Sequence, residues 1–110
     1  MADLRLISLH CAAPEDFFDG DEPYLVAGGR QVWSSQSMVA GETKDLSGVP
    51  PIRFRRSLEL QLFDQDVGGF FDPDDFLGTW VVRKRDAGGE RQASFNGDDA
   101  DYTLTYRVKT

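Results

Sequence analysis

The chain has 110 residues, 40 % of them hydrophobic, with 13 aromatics and a formal charge of −7 at pH 7. That length suits one domain, residues 1–110, with a single modest core, and the acidic balance excludes a general nucleic-acid partner, which needs a basic surface. The lone Cys11 excludes an intrachain disulfide, and the sequence shows neither a membrane-spanning apolar run nor a signal peptide, so a soluble protein, cytoplasmic or peripheral to a membrane, is expected.

Taken in order, the elements read as strands separated by turn signals. Leu4–Cys11 is a β-type run, with His10 and Cys11 as ordinary strand residues. Tyr24–Ala27 and Gln31–Ser34 flank Gly28-Gly29, a tight hairpin. Lys44–Phe54 is interrupted by Gly48 and Pro50-Pro51, which marks an irregular or edge strand. Ser57–Phe63 alternates, with Leu58, Leu60 and Leu62 on one face. Phe76–Val82 is short and apolar, Glu90–Phe95 follows Gly88-Gly89, and Tyr102–Lys109 alternates again. No segment sustains helical periodicity. About eight short strands imply an all-β, eight-stranded antiparallel sandwich of two sheets with Greek-key connections. Trp33 and Trp80 are expected to be core or sheet-packing residues rather than ligand platforms.

Ten of the 19 acidic residues fall in two stretches without Lys or Arg: Glu15, Asp16, Asp19, Asp21 and Glu22, then Asp64, Asp66, Asp72, Asp74 and Asp75. Both fall in predicted loops. Loops at one end of a sandwich converge, and carboxylates brought together repel unless a cation intervenes. Asp64 and Asp66 turn toward one point as the strand ends. Gly68 and Gly69 supply a bend, and Asp72, Asp74 and Asp75 return. Six to eight oxygens in flexible geometry suit calcium better than magnesium. Asp64, Asp66, Gly69, Asp72 and Asp75 also fall at EF-hand-like spacings, but strand-like flanks exclude that motif. A two-carboxylate glycosidase is disfavoured because no nucleophile–base pair or cleft can be named.

The spacing resembles the C2 family of calcium- and lipid-binding β-sandwiches over residues 4 to 82. Asp16 followed by Glu22-Pro23-Tyr24 resembles that family's Asp and Asp-Pro-Tyr, with Glu in place of the second Asp. Asp64-Gln65-Asp66 followed by Asp75-Phe76-Leu77-Gly78 resembles its Asp-x-Asp and its later Asp before an apolar pair and Gly. The resemblance implies calcium ligands at Asp16, Glu22, Asp64, Asp66 and Asp72 or Asp75, with Glu15, Asp19, Asp21 and Asp74 as further candidates. It also implies membrane-entering residues at the loop tips, where this chain has Phe17-Phe18 and Phe70-Phe71.

Two calcium ions would bring the formal charge from −7 to −3 and make that end locally positive. Two functions follow. One is a non-enzymatic calcium-binding module that docks on anionic phospholipid or a partner. The other is a calcium-stabilised structural or protein-interaction module of a larger bacterial-type assembly or exported protein, without lipid binding. The loop phenylalanines favour the first, and the acidity and missing lysine-rich strand favour the second. Arg53, Arg55, Arg56, Arg83, Lys84 and Arg85 read as solvated surface.

Overall fold

A computed structural model describes residues 1–16, 20–65 and 74–110. They form nine strands: β1 (Ala2–Ala13), β2 (Pro23–Ala27), β3 (Arg30–Ser34), β4 (Thr43–Asp45), β5 (Ile52–Phe54), β6 (Ser57–Asp64), β7 (Asp75–Arg83), β8 (Arg91–Phe95) and β9 (Asp101–Lys109). One sheet runs β4-β1-β9-β8, with β5 also paired to β1, and the other runs β3-β2-β6-β7. Every pairing is antiparallel.

Alternation builds the core. Tyr102, Leu104, Tyr106 and Val108 of β9 are buried, as are Leu60 and Leu62 of β6 and Leu4, Leu6, Leu9 and Cys11 of β1. Trp33 and Trp80 pack against this core, and Trp80 Nε1 donates to the Tyr106 hydroxyl at 3.2 Å. Gly28 and Gly29 turn the β2–β3 hairpin with φ of 58° and 84°, the paired positive values of a tight two-residue turn.

The two-sheet antiparallel sandwich expected from the pattern is present, with nine strands rather than eight. Lys44–Phe54, read as one irregular strand, is two short ones, β4 and β5, placed successively along one edge of β1. Pro50 and Pro51 between them have no N–H to offer a ladder, so the pairing stops and restarts. The chain crosses between the sheets at β1–β2, β3–β4, β5–β6 and β7–β8. The strand ends that bound the 14–22 and 35–42 crossings and the 65–74 and 96–100 hairpin connections lie at one end, because Ala13 pairs with Asp101, Pro23 with Asp64, Asp64 with Asp75, and His10 with Thr43.

Candidate metal centre

The site end is organised around a buried carboxylate. Asp21 has no exposed surface. Its backbone pairs with Met38 in both directions, N–H to O at 2.9 Å and O to N–H at 2.7 Å. Its side chain accepts the amides of Glu15 and Asp16, both at 2.8 Å, and the Tyr102 hydroxyl at 2.5 Å. Three donors on one carboxylate compensate for its removal from water. Burial, with the bond to Asp21 next, raises the Tyr102 hydroxyl far above the usual phenol range. Gly20 makes the approach possible. Its φ is 76°, and a Cβ there would fall 2.7 Å from the Met38 carbonyl oxygen.

Asp21 thus pulls residues 15 and 16 inward and aims Glu15 at two groups of acids. Glu15, Asp21 and Asp64 present carboxylate oxygens within 4.8 Å of one another, and so do Glu15, Asp75 and Asp98. Asp64 ends β6, is 7 % exposed, and accepts the Glu22 amide at 2.7 Å. Asp75 begins β7 opposite it.

Asp98 arrives from the β8–β9 connection. Gly97 lets that connection lie on β7, since a Cβ there would sit 3.0 Å from the Leu77 carbonyl. Asp98 and Asp99 then take left-handed φ values of 53° and 64°, a region that Asp tolerates better than most residues.

The electrostatics record the crowding. Desolvation, then donation of a hydrogen bond to Asp64, then the charges of Asp75, Asp64 and Asp98 push Glu15 up to about 8. Asp64 is pushed up to about 6, mainly by desolvation, with the Glu22 amide acting in the opposite direction. Desolvation and the neighbouring negative charges both favour the protonated carboxyl at Glu15 and Asp64.

Beside the cup, on the outward face of the β3-β2-β6-β7 sheet, Tyr24 stacks on Phe63 with centroids 5.2 Å apart, and Phe63 meets Phe76 at 5.5 Å. Phe76 is 48 % exposed. The Tyr24 hydroxyl donates to Asp74 at 2.5 Å. Burial, then that bond and the Asp74 charge, push Tyr24 up to about 12.

Of the acids singled out in the sequence, Asp21 and Asp64 belong to one trio with Glu15, and Asp75 belongs to the other. Asp16 and Glu22 donate backbone amides to Asp21 and Asp64 respectively, and Asp74 is tied to Tyr24. Asp19, Asp66, Asp72, Phe17, Phe18, Phe70 and Phe71 lie outside the described residues. Glu15, ranked low in the sequence, belongs to both trios. Asp98 was not singled out at all. Its signal was the turn run Asn96-Gly97-Asp98-Asp99 before β9.

No protein-family model matches the sequence, and no curated protein matches it. Solved structures do. A C2-domain structure aligns over 100 % of both chains, with a TM-score of 0.65 and 13 % identity. The calcium-bound C2A and C2B domains of extended-synaptotagmin 2 align with 98 % of this chain, TM-score 0.62 and 17 % identity, over 44 % of their own length. Human GIVD cytosolic phospholipase A2 aligns with 99 % of this chain, TM-score 0.52 and 15 % identity, over 17 % of its length. With its two antiparallel sheets and these likenesses, the chain is a C2-like β-sandwich.

Proposed function

We propose that this C2-like module binds calcium in the cup at the 14–22, 65–74 and 96–100 end and uses the occupied cup to dock on anionic phospholipid or a protein partner, without catalysis. The observation that carries the reading is the pair of carboxylate trios sharing Glu15. Oxygens within 4.8 Å of one another suit a cation that binds oxygen at about 2.3–2.6 Å in flexible geometry. Glu15 belongs to both trios and could serve an ion held in either. Asp64, Asp75 and Asp98 would contribute further oxygens, and Asp21 would combine a ligand's role with holding the loop.

Glu15 and Asp64 are raised chiefly by desolvation, with the neighbouring carboxylate charges adding to it. A divalent ion offsets that repulsion. Asp16, Glu22, Asp66, Asp72, Asp74 and Asp19 remain proposed contributors to the coordination sphere. Phe17, Phe18, Phe70 and Phe71 remain the proposed apolar contacts of the docked state, and the exposed Phe76 at the start of β7 adds apolar surface.

Thermal melting in calcium, magnesium and EDTA tests the site. A calcium-specific rise is expected, and equal melting in all three rejects the cup as a metal centre. Co-sedimentation with anionic vesicles then separates the docking partners. Absence of calcium-dependent lipid binding, with the melting shift intact, leaves the calcium-stabilised structural or protein-interaction module. That reading is favoured by the scarcity of cations on the β2–β3 hairpin, where Arg30 is the only one.

A further inference from the structure

A third crowding of like charges lies on the outer face of the β4-β1-β9-β8 sheet. Arg5 of β1 stands directly opposite Arg107 of β9. Both point away from the core, since Leu4, Leu6, Tyr106 and Val108 beside them are buried. Like charges directly opposed across strands destabilise a sheet. Lys109 occupies the next outward position of β9. It faces Asp3, whose carboxylate is engaged with Arg53 Nε at 3.6 Å. Arg5, Arg107 and Lys109 line one shallow recess with Leu6, Ile7 and Ser47.

This chain carries 19 acids against 12 bases, yet none of the three cations enters an ion pair among the described residues. Asp45, beside the recess, directs its carboxylate to the Ser47 amide at 2.9 Å. Arg107 Nε is buried and has no hydrogen-bond partner. A buried guanidinium N–H without an acceptor is unfavourable.

One ligand chemistry answers this crowding of cations. An oxyanion in the recess offsets the Arg5–Arg107 repulsion and can accept from the exposed Arg5 and Lys109 side chains. A phosphomonoester, with a charge of about −1.5 to −2 at neutral pH and three acceptor oxygens, matches three cations better than a single carboxylate does. We propose that the recess between β1 and β9 binds the phosphate group of a phosphomonoester, independently of the acidic cup. That group could belong to a soluble organophosphate or to a lipid headgroup.

The test is an amide- and guanidinium-resolved NMR titration of the full chain with phenyl phosphate in EDTA, so that calcium has no part in the result. Saturable shifts are expected at Arg5, Ser47, Arg107 and Lys109. Arg107→Gln and Arg5→Gln should each weaken binding about tenfold or more. Arg85→Gln, at the opposite end from the cup, should leave it unchanged. If Arg107→Gln fails to fold, the exposed Arg5 and Lys109 carry the test as Arg5→Gln and Lys109→Gln.

Shifts that do not saturate, or that persist undiminished in the Gln variants, overturn the proposal. Phosphatidylcholine vesicles with and without phosphatidic acid, also in EDTA, distinguish the sources. Sedimentation that needs phosphatidic acid and is lost in Arg5→Gln assigns the phosphate to a lipid. Saturable shifts by phenyl phosphate without such sedimentation assign it to a soluble compound.

Discussion

The two ends of the sandwich carry opposite charge under opposite conditions. At one end, Glu15, Asp21, Asp64 and Asp75 are buried or half-buried, and Asp21 and Asp64 are held by backbone amides and a tyrosine hydroxyl. At the other, Arg55 and Arg56 lead into β6 while Arg83, Lys84 and Arg85 leave β7, brought together by the Ser57–Arg83 pairing and the Lys84 amide on the Arg56 carbonyl at 2.9 Å. All five of these cations are exposed. In water, like charges a few ångströms apart repel weakly, and salt screens them further. In partly desolvated space the same crowding moves protons. The acidic end therefore has a built arrangement that invites a cation, whereas the basic end is a solvated surface.

Breaking the acidic end at its centre should have the largest effect. Asp21→Ala leaves two amides and the Tyr102 hydroxyl without their acceptor, and is expected to destabilise the fold by about 3 kcal/mol in urea denaturation. Occupying the cup is next. Calcium at about a hundredfold its dissociation constant should add about 2.7 kcal/mol, a rise in melting temperature of about 10 °C or more for a domain this size.

Tyr102→Phe removes one buried hydrogen bond from Asp21 and should cost about 1–2 kcal/mol. The loss should be smaller than for Asp21→Ala, because the two amides remain bonded. Its measured urea midpoint shows how far the cup depends on β9.

The pH dependence sharpens the contrast without altering any residue. Glu15 is raised from 4.5 to about 8 and Asp64 from 3.8 to about 6. The calcium-free folded state then binds more protons than the unfolded chain between roughly pH 4 and 8. Stability contributed by these groups is present below pH 4 and is lost as pH rises through about 6 and about 8. Melting curves in EDTA should show this decline, moderated by the solvent contact of Glu15. Glu15→Gln should flatten its upper part while weakening calcium binding. The smallest effect belongs to the other end, where Arg55→Gln or Arg85→Gln should change stability by no more than about 0.5 kcal/mol. A larger change would mean that the basic end is also built.

The strands that alternate most regularly in the sequence, β6 and β9, are those whose inward residues the structure buries, since a half-buried strand writes its two faces into a period of two. The β4–β5 break was visible in Pro50-Pro51, but its resolution into two strands on one edge depends on what β1 leaves unpaired. The cup was legible wherever acids are dense along the chain. Glu15 was undervalued because its importance comes from Asp21, six residues away, drawing its amide inward. Asp98 was missed because only the packing of the β8–β9 connection on β7 at Gly97 brings it to Asp75, 23 residues earlier. Nor could spacing reveal that Asp21 meets Tyr102, 81 residues distant.

The base of the first acidic loop is closed by its own ends. The Gly20 amide reaches the Asp16 carbonyl at 3.1 Å, and the Asp21 carboxylate spans back to residues 15 and 16. That clasp is made by positions 15, 16, 20 and 21 alone. Exchanging the side chains between those anchors is therefore expected to leave the urea midpoint of the sandwich nearly unchanged, because the ends of the segment carry their own bonds.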